Sequence, residues 1–187
     1  MSRRTLASIA TLAVTVTTLA ACSSQIDGKA TPSALSPPPA SSSPATTASN
    51  NPFTGMNQCT TLDQLLTGQG FGPAAPSPSD RKHVCAAQKP LTNTEDPIDA
   101  SLGFYPGQKI NENINNPAKA KPGKINGNRP AVLQQEPLHS RGMCEIGMQV
   151  ATDSRINLLV VVGTDTERAC QLVQGLAEKV DPLLPKA

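Results

Sequence analysis

Cysteine is the residue type through which this chain of 187 residues could most readily do covalent chemistry, and there are five of them. Four, Cys59, Cys85, Cys144 and Cys170, fall into two pairs with the same separation of 26 positions. In an oxidising compartment an even set of thiols forms disulfides, although four cysteines allow three connectivities. Pairing in chain order would close two loops of similar size, each stabilising by roughly 3–4 kcal/mol on the chain-entropy account. Metal binding is the competing use, and the spacing argues against it. No C-x-x-C occurs, and His83, two residues from Cys85, has no further ligand cluster to complete a zinc set. No metal and no other cofactor is expected. The only histidines are His83 and His139, both in polar, loop-like stretches. No G-x-S-x-G, H-E-x-x-H, phosphate-loop or dinucleotide motif accompanies them. Asp153 and Asp165 flank the clearest strand, where turn and cap roles account for them. No catalytic residue is assigned.

The fifth cysteine has different surroundings. Arg3 and Arg4 precede a fifteen-residue run from Leu6 to Ala20 made of Ala, Leu, Val, Ile, Thr and one Ser. The run is shorter than the about 20 residues of a spanning helix, so residues 1–21 read as a secretory signal peptide. Its end, Leu19-Ala20-Ala21-Cys22, resembles the lipobox of bacterial lipoproteins, in which the cysteine sulfur is acylated before the signal is cut. Cys22 is the expected lipidation site, and two or more acyl chains would hold the chain on a membrane. Ser2-Arg3-Arg4-Thr5-Leu6 also has the form of a twin-arginine export signal, which leaves both export routes open.

Removing residues 1–21 takes two of the 16 basic residues and none of the 14 acidic ones, so the mature chain is formally neutral. Nucleic acid is not an expected partner, since no Lys/Arg-rich run is interleaved with aromatics. From Ala30 to Asn50 there are five Pro, six Ser, three Thr and five Ala, and no charge. Such a stretch cannot bury a core, so residues 22–51 read as a disordered tether, with a reach on the order of 30 Å. Its Ser and Thr beside Pro are candidate O-glycosylation acceptors. Aromatics are limited to three Phe and one Tyr. A core without large rings must be aliphatic, and cross-links would make up part of the deficit.

Residues 52–187 read as a single α+β domain. Thr61-Leu62-Asp63-Gln64 has the form of a capping box, starting a short helix with Leu62, Leu65 and Leu66 inward and Gly68 or Gly70 at its end. Residues 72–82 read as loop. Ala100, Leu102 and Phe104 alternate along a strand from Asp99 to Tyr105. The stretch 106–124 is polar and aperiodic, with a helix allowed over about 108–116. Between 106 and 141 there are six basic and two acidic residues, a modest positive patch. Turn residues at 125–128 precede a strand over Ala131–Gln135. Met143–Ala151 alternates, with Cys144, Ile146, Met148 and Val150 on one face. A turn at 152–155 leads into the continuous apolar run from Ile156 to Gly163, whose two apolar faces suit a central strand. Thr164-Asp165-Thr166-Glu167 resembles a second capping box. The following helix carries Ala169, Cys170, Val173, Leu176, Ala177 and Val180 in one stripe, until Pro182 and Pro185. That stripe can cover the hairpin, with Cys170 at its edge within reach of Cys144. The expected fold is an antiparallel sheet with a C-terminal strand-strand-helix unit packed on one face, and two disulfides.

Several segments together resemble a family of actinobacterial cell-envelope lipoproteins. They are the lipobox and tether, Asn51-Pro52-Phe53 ahead of Cys59, the leucine-rich helix, Cys85, Cys144-Glu145-Ile146-Gly147-Met148, and Ala169-Cys170. The resemblance spans essentially the whole mature chain, but only the cysteine-centred segments are specific. Family members often carry Trp two residues after the second cysteine, where this chain has Ala87. The resemblance implies an exported α+β domain with two disulfides, broadly similar to extracellular sensor domains of bacterial receptor kinases. It implies no established activity.

The function expected on these grounds is non-catalytic. The chain would be anchored on the outer face of the cell membrane and dock another envelope or membrane protein. The alternative is a carrier of a lipid, glycan or small molecule in a cleft beside the sheet, lined by aliphatic strand surface such as Leu158 to Val162. Against it, few aromatics are available to line such a cleft. A hydrolase is the third alternative.

Overall fold

The Val-rich run expected to be a central strand takes the middle of a seven-stranded sheet. In a computed structural model the described residues are 51–92 and 96–186, and they fall within one compact unit. The strands, in chain order, are β1 (Ala75–Pro76), β2 (Val84–Lys89), β3 (Ile98–Pro106), β4 (Ala120–Ile125), β5 (Arg129–Gln135), β6 (Met143–Ala151) and β7 (Ser154–Val162). Across the sheet they run β1-β2-β3-β7-β6-β5-β4, each antiparallel to its neighbours. Helices α1 (Gln58–Leu66) and α2 (Thr166–Val180) lie on one face. The α+β antiparallel architecture, the C-terminal strand-strand-helix unit and both disulfides are as expected. The signal, Cys22 and the tether up to residue 50 lie outside the described residues.

Alternation decides which face is covered. Leu102, Leu158 and Ile146 stand side by side on three neighbouring strands, as do Ala100, Val160 and Cys144. All are at most 2% exposed. The predicted α2 stripe is buried residue for residue. Phe53 stacks on Phe104 with ring centroids 4.7 Å apart, adding aromatic contact to an aliphatic core. Each helix is bound to the sheet by one disulfide: Cys59–Cys85 joins α1 to β2, and Cys144–Cys170 joins β6 to α2. Arg129 fastens the far end of α2. Its Nε donates to Asp181, its other nitrogens to the carbonyls of Gln149 (2.9 Å) and Pro185 (3.0 Å).

Four local expectations are corrected. The cap of α1 is Asn57, whose Oδ1 accepts from the Thr60 amide at 3.0 Å. Thr61 lies inside the first turn and its hydroxyl donates back to the Asn57 carbonyl at 2.9 Å, so the helix starts one turn before the apparent box. The cap of α2 is Asp165, accepting from Arg168 N at 2.9 Å, one residue beyond the expected start. No α-helix forms over 108–116, where two isolated three-ten turns, Ile110–Asn113 and Pro117–Lys119, lead into β4. Within the expected 72–82 loop, Ala75–Pro76 pairs with β2. Strand β4 has no apolar alternation because it is an edge, with four of its six residues exposed. Its pairing is imposed by the turn that follows, where Asn126 and Gly127 both have positive φ, as a primed hairpin turn requires.

Candidate functional site

Among the described residues the second face of the sheet carries no α-helix, and its residues follow from the same alternation. On β7, Arg155, Asn157, Leu159 and Val161 point away from the helices, and so do Met143 and Glu145 on β6 and Ser101 and Tyr105 on β3. Of the aliphatic run Leu158 to Val162, Leu159 and Val161 line the cleft on this face, and Leu158, Val160 and Val162 face the helices. The cleft encloses about 410 Å³ over a floor that includes Leu159, Val161, Met143 and Ser101. One wall is the segment after β3, which folds back over the sheet. Asn115 N and Asn116 N donate to Gln134 Oε1 at 2.6 and 2.7 Å, and Ile110 lies over Gly147. Opposite stand Ser77 and Ser79, and Pro137 and Leu138 close a third side.

The polar end of the cleft is one connected network. The Arg155 guanidinium donates to Asn157 Oδ1 and to Gln108 Oε1 (2.8 Å) and lies 4.4 Å from the centre of the Tyr105 ring. Asn157 passes the chain on, its Nδ2 donating to Glu145 Oε1, which also accepts from Asn113 Nδ2 at 2.5 Å. Glu145 Oε2 accepts from no described residue, and the side chain lines the cleft. Tyr105 can lie across the floor only because residue 103 is glycine, since a Cβ there would fall 2.6 Å from the ring. Arg155 is 4% exposed and its Nε has no hydrogen-bond partner among the described residues. A guanidinium with an unsatisfied donor is costly to bury, so this cluster is not the cheapest way to fill the space.

Burial pushes the Glu145 carboxyl up to about 7, against the lowering effects of the Asn113 bond, the Arg155 charge and the Asn157 bond. The folded protein therefore holds a proton on Glu145 that the unfolded chain releases near 4.5. Between those two values the folded state binds more protons, so this contribution to stability is present below pH 4.5 and is lost as pH rises through 7. Allowing for solvent reaching the cleft, the loss is about 2 kcal/mol. Glu145→Gln keeps an acceptor for both asparagines and removes the titration. Denaturant melts at pH 5 and pH 8 should show wild type weakening by about that amount and the variant nearly level. Equal slopes for both proteins would remove Glu145 as the group responsible.

His83 and His139 do not come together. His83 Nδ1 lies 3.1 Å from both carboxylate oxygens of Asp80, half of a nucleophile-activating array. No described serine or threonine bonds its other ring nitrogen. His139 is exposed on a turn with positive φ. Asp165 caps α2, and Asp153 is exposed in the β6–β7 turn. The four cysteines are spent in disulfides. No group of three or more His, Cys, Asp or Glu that could hold a metal ion occurs among the described residues.

Glu145, Arg155, Asn157 and Tyr105 were not legible as a site. Their signal was present as polar residues on strands whose opposite face is core: Glu145 between Cys144 and Ile146, and Asn157 inside an otherwise apolar run.

A family model described as "Protein of unknown function (DUF3558)" matches residues 17–183. No curated protein and no solved structure matches the chain.

Proposed function

The chain belongs to the DUF3558 family, and on that premise we propose that it is a non-catalytic interaction module of the actinobacterial cell envelope. It is held on the outer face of the cell membrane by acylation of Cys22 and docks another exported or membrane protein on the open face of its sheet. Leu138 carries this reading. It is 66% exposed at the rim of the cleft, on a turn where Glu136, Leu138 and His139 have φ of 48°, 55° and 59°. Left-handed backbone costs a residue with a Cβ about 1–2 kcal/mol. The turn is held there by surrounding contacts: Asn116 Nδ2 donates to the Glu136 carbonyl at 3.0 Å, Lys119 pairs with the Glu136 carboxylate, and Pro137 is buried. Strain that presents an apolar side chain to water beside an apolar-floored cleft is explained by a partner that covers it. Burying such a leucine contributes about 1.5–3 kcal/mol.

Leu138→Gly suits the left-handed backbone, so its stability should equal wild type or exceed it by up to about 1 kcal/mol. Cross-linking on intact cells should lose the main partner of the wild-type protein at least tenfold with this variant. Identical cross-linked species for both proteins would sink the docking reading. The cleft volume of about 410 Å³ also suits the second reading, a carrier of a small molecule or lipid. Recovery of a stoichiometric ligand from the cleft by native mass spectrometry would select it. Cys22→Ala should release the protein from the membrane fraction with both disulfides still formed. Continued sedimentation with membranes would rule out acylation as the anchor.

A further inference from the structure

A second groove lies on the helical face, between the end of α1 and the outer side of α2. Leu66, Ile98, Val160 and Leu176 form its floor, with Phe71 and Leu172 at the sides, and it encloses about 260 Å³. Its charged lining residues are Lys89, Arg168 and Lys179, and no Asp or Glu lines it among the described residues. The charged residues lining the open-face cleft are instead Asp99 and Glu145, with the Arg155 guanidinium bonded through Asn157 to Glu145. Three cationic side chains at the mouth of an apolar groove favour an anionic group there.

Gly175 sits in the middle of α2 and lines the groove. A Cβ built there would meet nothing within 4 Å, and its φ is not positive. Neither a close approach nor a turn requires glycine at this position, although it weakens the helix relative to alanine. Its effect is to leave the groove open.

We propose that this groove is a binding site for a single fatty-acyl chain ending in a carboxylate. The chain lies along Leu66, Ile98 and Leu176, and the carboxylate meets the cationic rim. At about 260 Å³ the groove is on the small side for a ligand site, which suits one acyl chain better than the two of a diacyl lipid. Lys89 and Arg168 also contact other groups, so the rim acts as a field and not as one dedicated ion pair. The site is on the opposite face from the docking surface and does not depend on it.

The test uses the full chain carrying Cys22→Ala, so that no covalent acyl group competes, and calorimetric titration with dodecanoate. Saturable binding at one site per chain is expected, with dodecyltrimethylammonium at least tenfold weaker and inorganic phosphate giving no heat. Gly175→Leu fills the groove while improving helix propensity, and should weaken dodecanoate at least tenfold with thermal stability kept. Lys179→Glu, a surface change, should weaken it severalfold. Equal affinity for the cationic amphiphile, binding of phosphate alone, or no saturable binding overturns the proposal. Undiminished affinity in both variants also overturns it, by placing the chain elsewhere, such as the open-face cleft.

Discussion

Gly142→Ala should destabilise the domain by on the order of 4 kcal/mol, among the largest effects available to a single methyl group here. Gly142 has φ +76°, and a Cβ there would fall 2.1 Å from the carbonyl oxygen of Gly163. That neighbour is backbone and cannot swing aside. Both polar groups of Gly142 are also committed: its amide donates to Thr166 Oγ1 at 2.9 Å, and its carbonyl accepts from Val162 N at 2.8 Å. Any shift that relieves the clash therefore breaks the junction between the start of β6, the end of β7 and the first turn of α2. Chemical denaturation of this variant beside Gly123→Ala, where a Cβ meets nothing within 4 Å, checks the argument. A loss at Gly142 no greater than that at Gly123 would show that the approach of the two glycines is not a constraint.

Replacing Cys144 and Cys170 together by alanine should cost about 3–4 kcal/mol. A loop of 26 residues sets that scale through the entropy returned to the unfolded chain. The Cys59–Cys85 pair spans an equal separation, so the loop term is the same for both. Accessibility separates them. Cys144 is fully buried and Cys170 is 5% exposed, whereas Cys59 is only partly buried. Under limiting reductant, Cys59–Cys85 should open first, and alkylation followed by peptide mapping would show it. Preferential loss of Cys144–Cys170 would mean that β6 and α2 separate more readily than their burial implies. Double-variant midpoints within error of wild type would show that the helices stay docked by apolar contact alone.

These two effects sit on either side of what could be read from the chain. That Cys170 of α2 can reach Cys144 of β6 followed from two periodicities, alternation along Met143–Ala151 and a helical stripe through Cys170, both of which are local properties of side-chain spacing. The Gly142–Gly163 approach did not follow, because it depends on where two distant backbones meet. The same division holds for strands. β3, β6 and β7 were legible because each buries an alternating apolar face. β2 was missed because its buried positions are Cys85 and Ala87, small residues whose alternation is weak. β4 was missed because Ala120-Lys121-Pro122-Gly123-Lys124-Ile125 buries almost nothing. The cap positions were missed by one turn at α1 and one residue at α2. Several Ser, Thr, Asp and Asn candidates stood together there, and the choice among them depends on where the helix meets the sheet.

The chain alone determined the fold class and the apolar face of each main element, since both rest on repeat spacing, and it put Cys170 within reach of Cys144 while leaving the pairing of the four cysteines open. It also placed Leu158 to Val162 in the middle of the sheet, because a strand apolar on both faces is best covered by neighbours on both sides. Only the tertiary structure decided what the second face does. Glu145, Arg155, Asn157, Tyr105 and Asn113 come from four separate segments between residues 105 and 157, and their hydrogen bonds exist only once β3, β7 and β6 are in register. The raised Glu145 carboxyl is likewise a property of burial, which no residue carries before the chain folds.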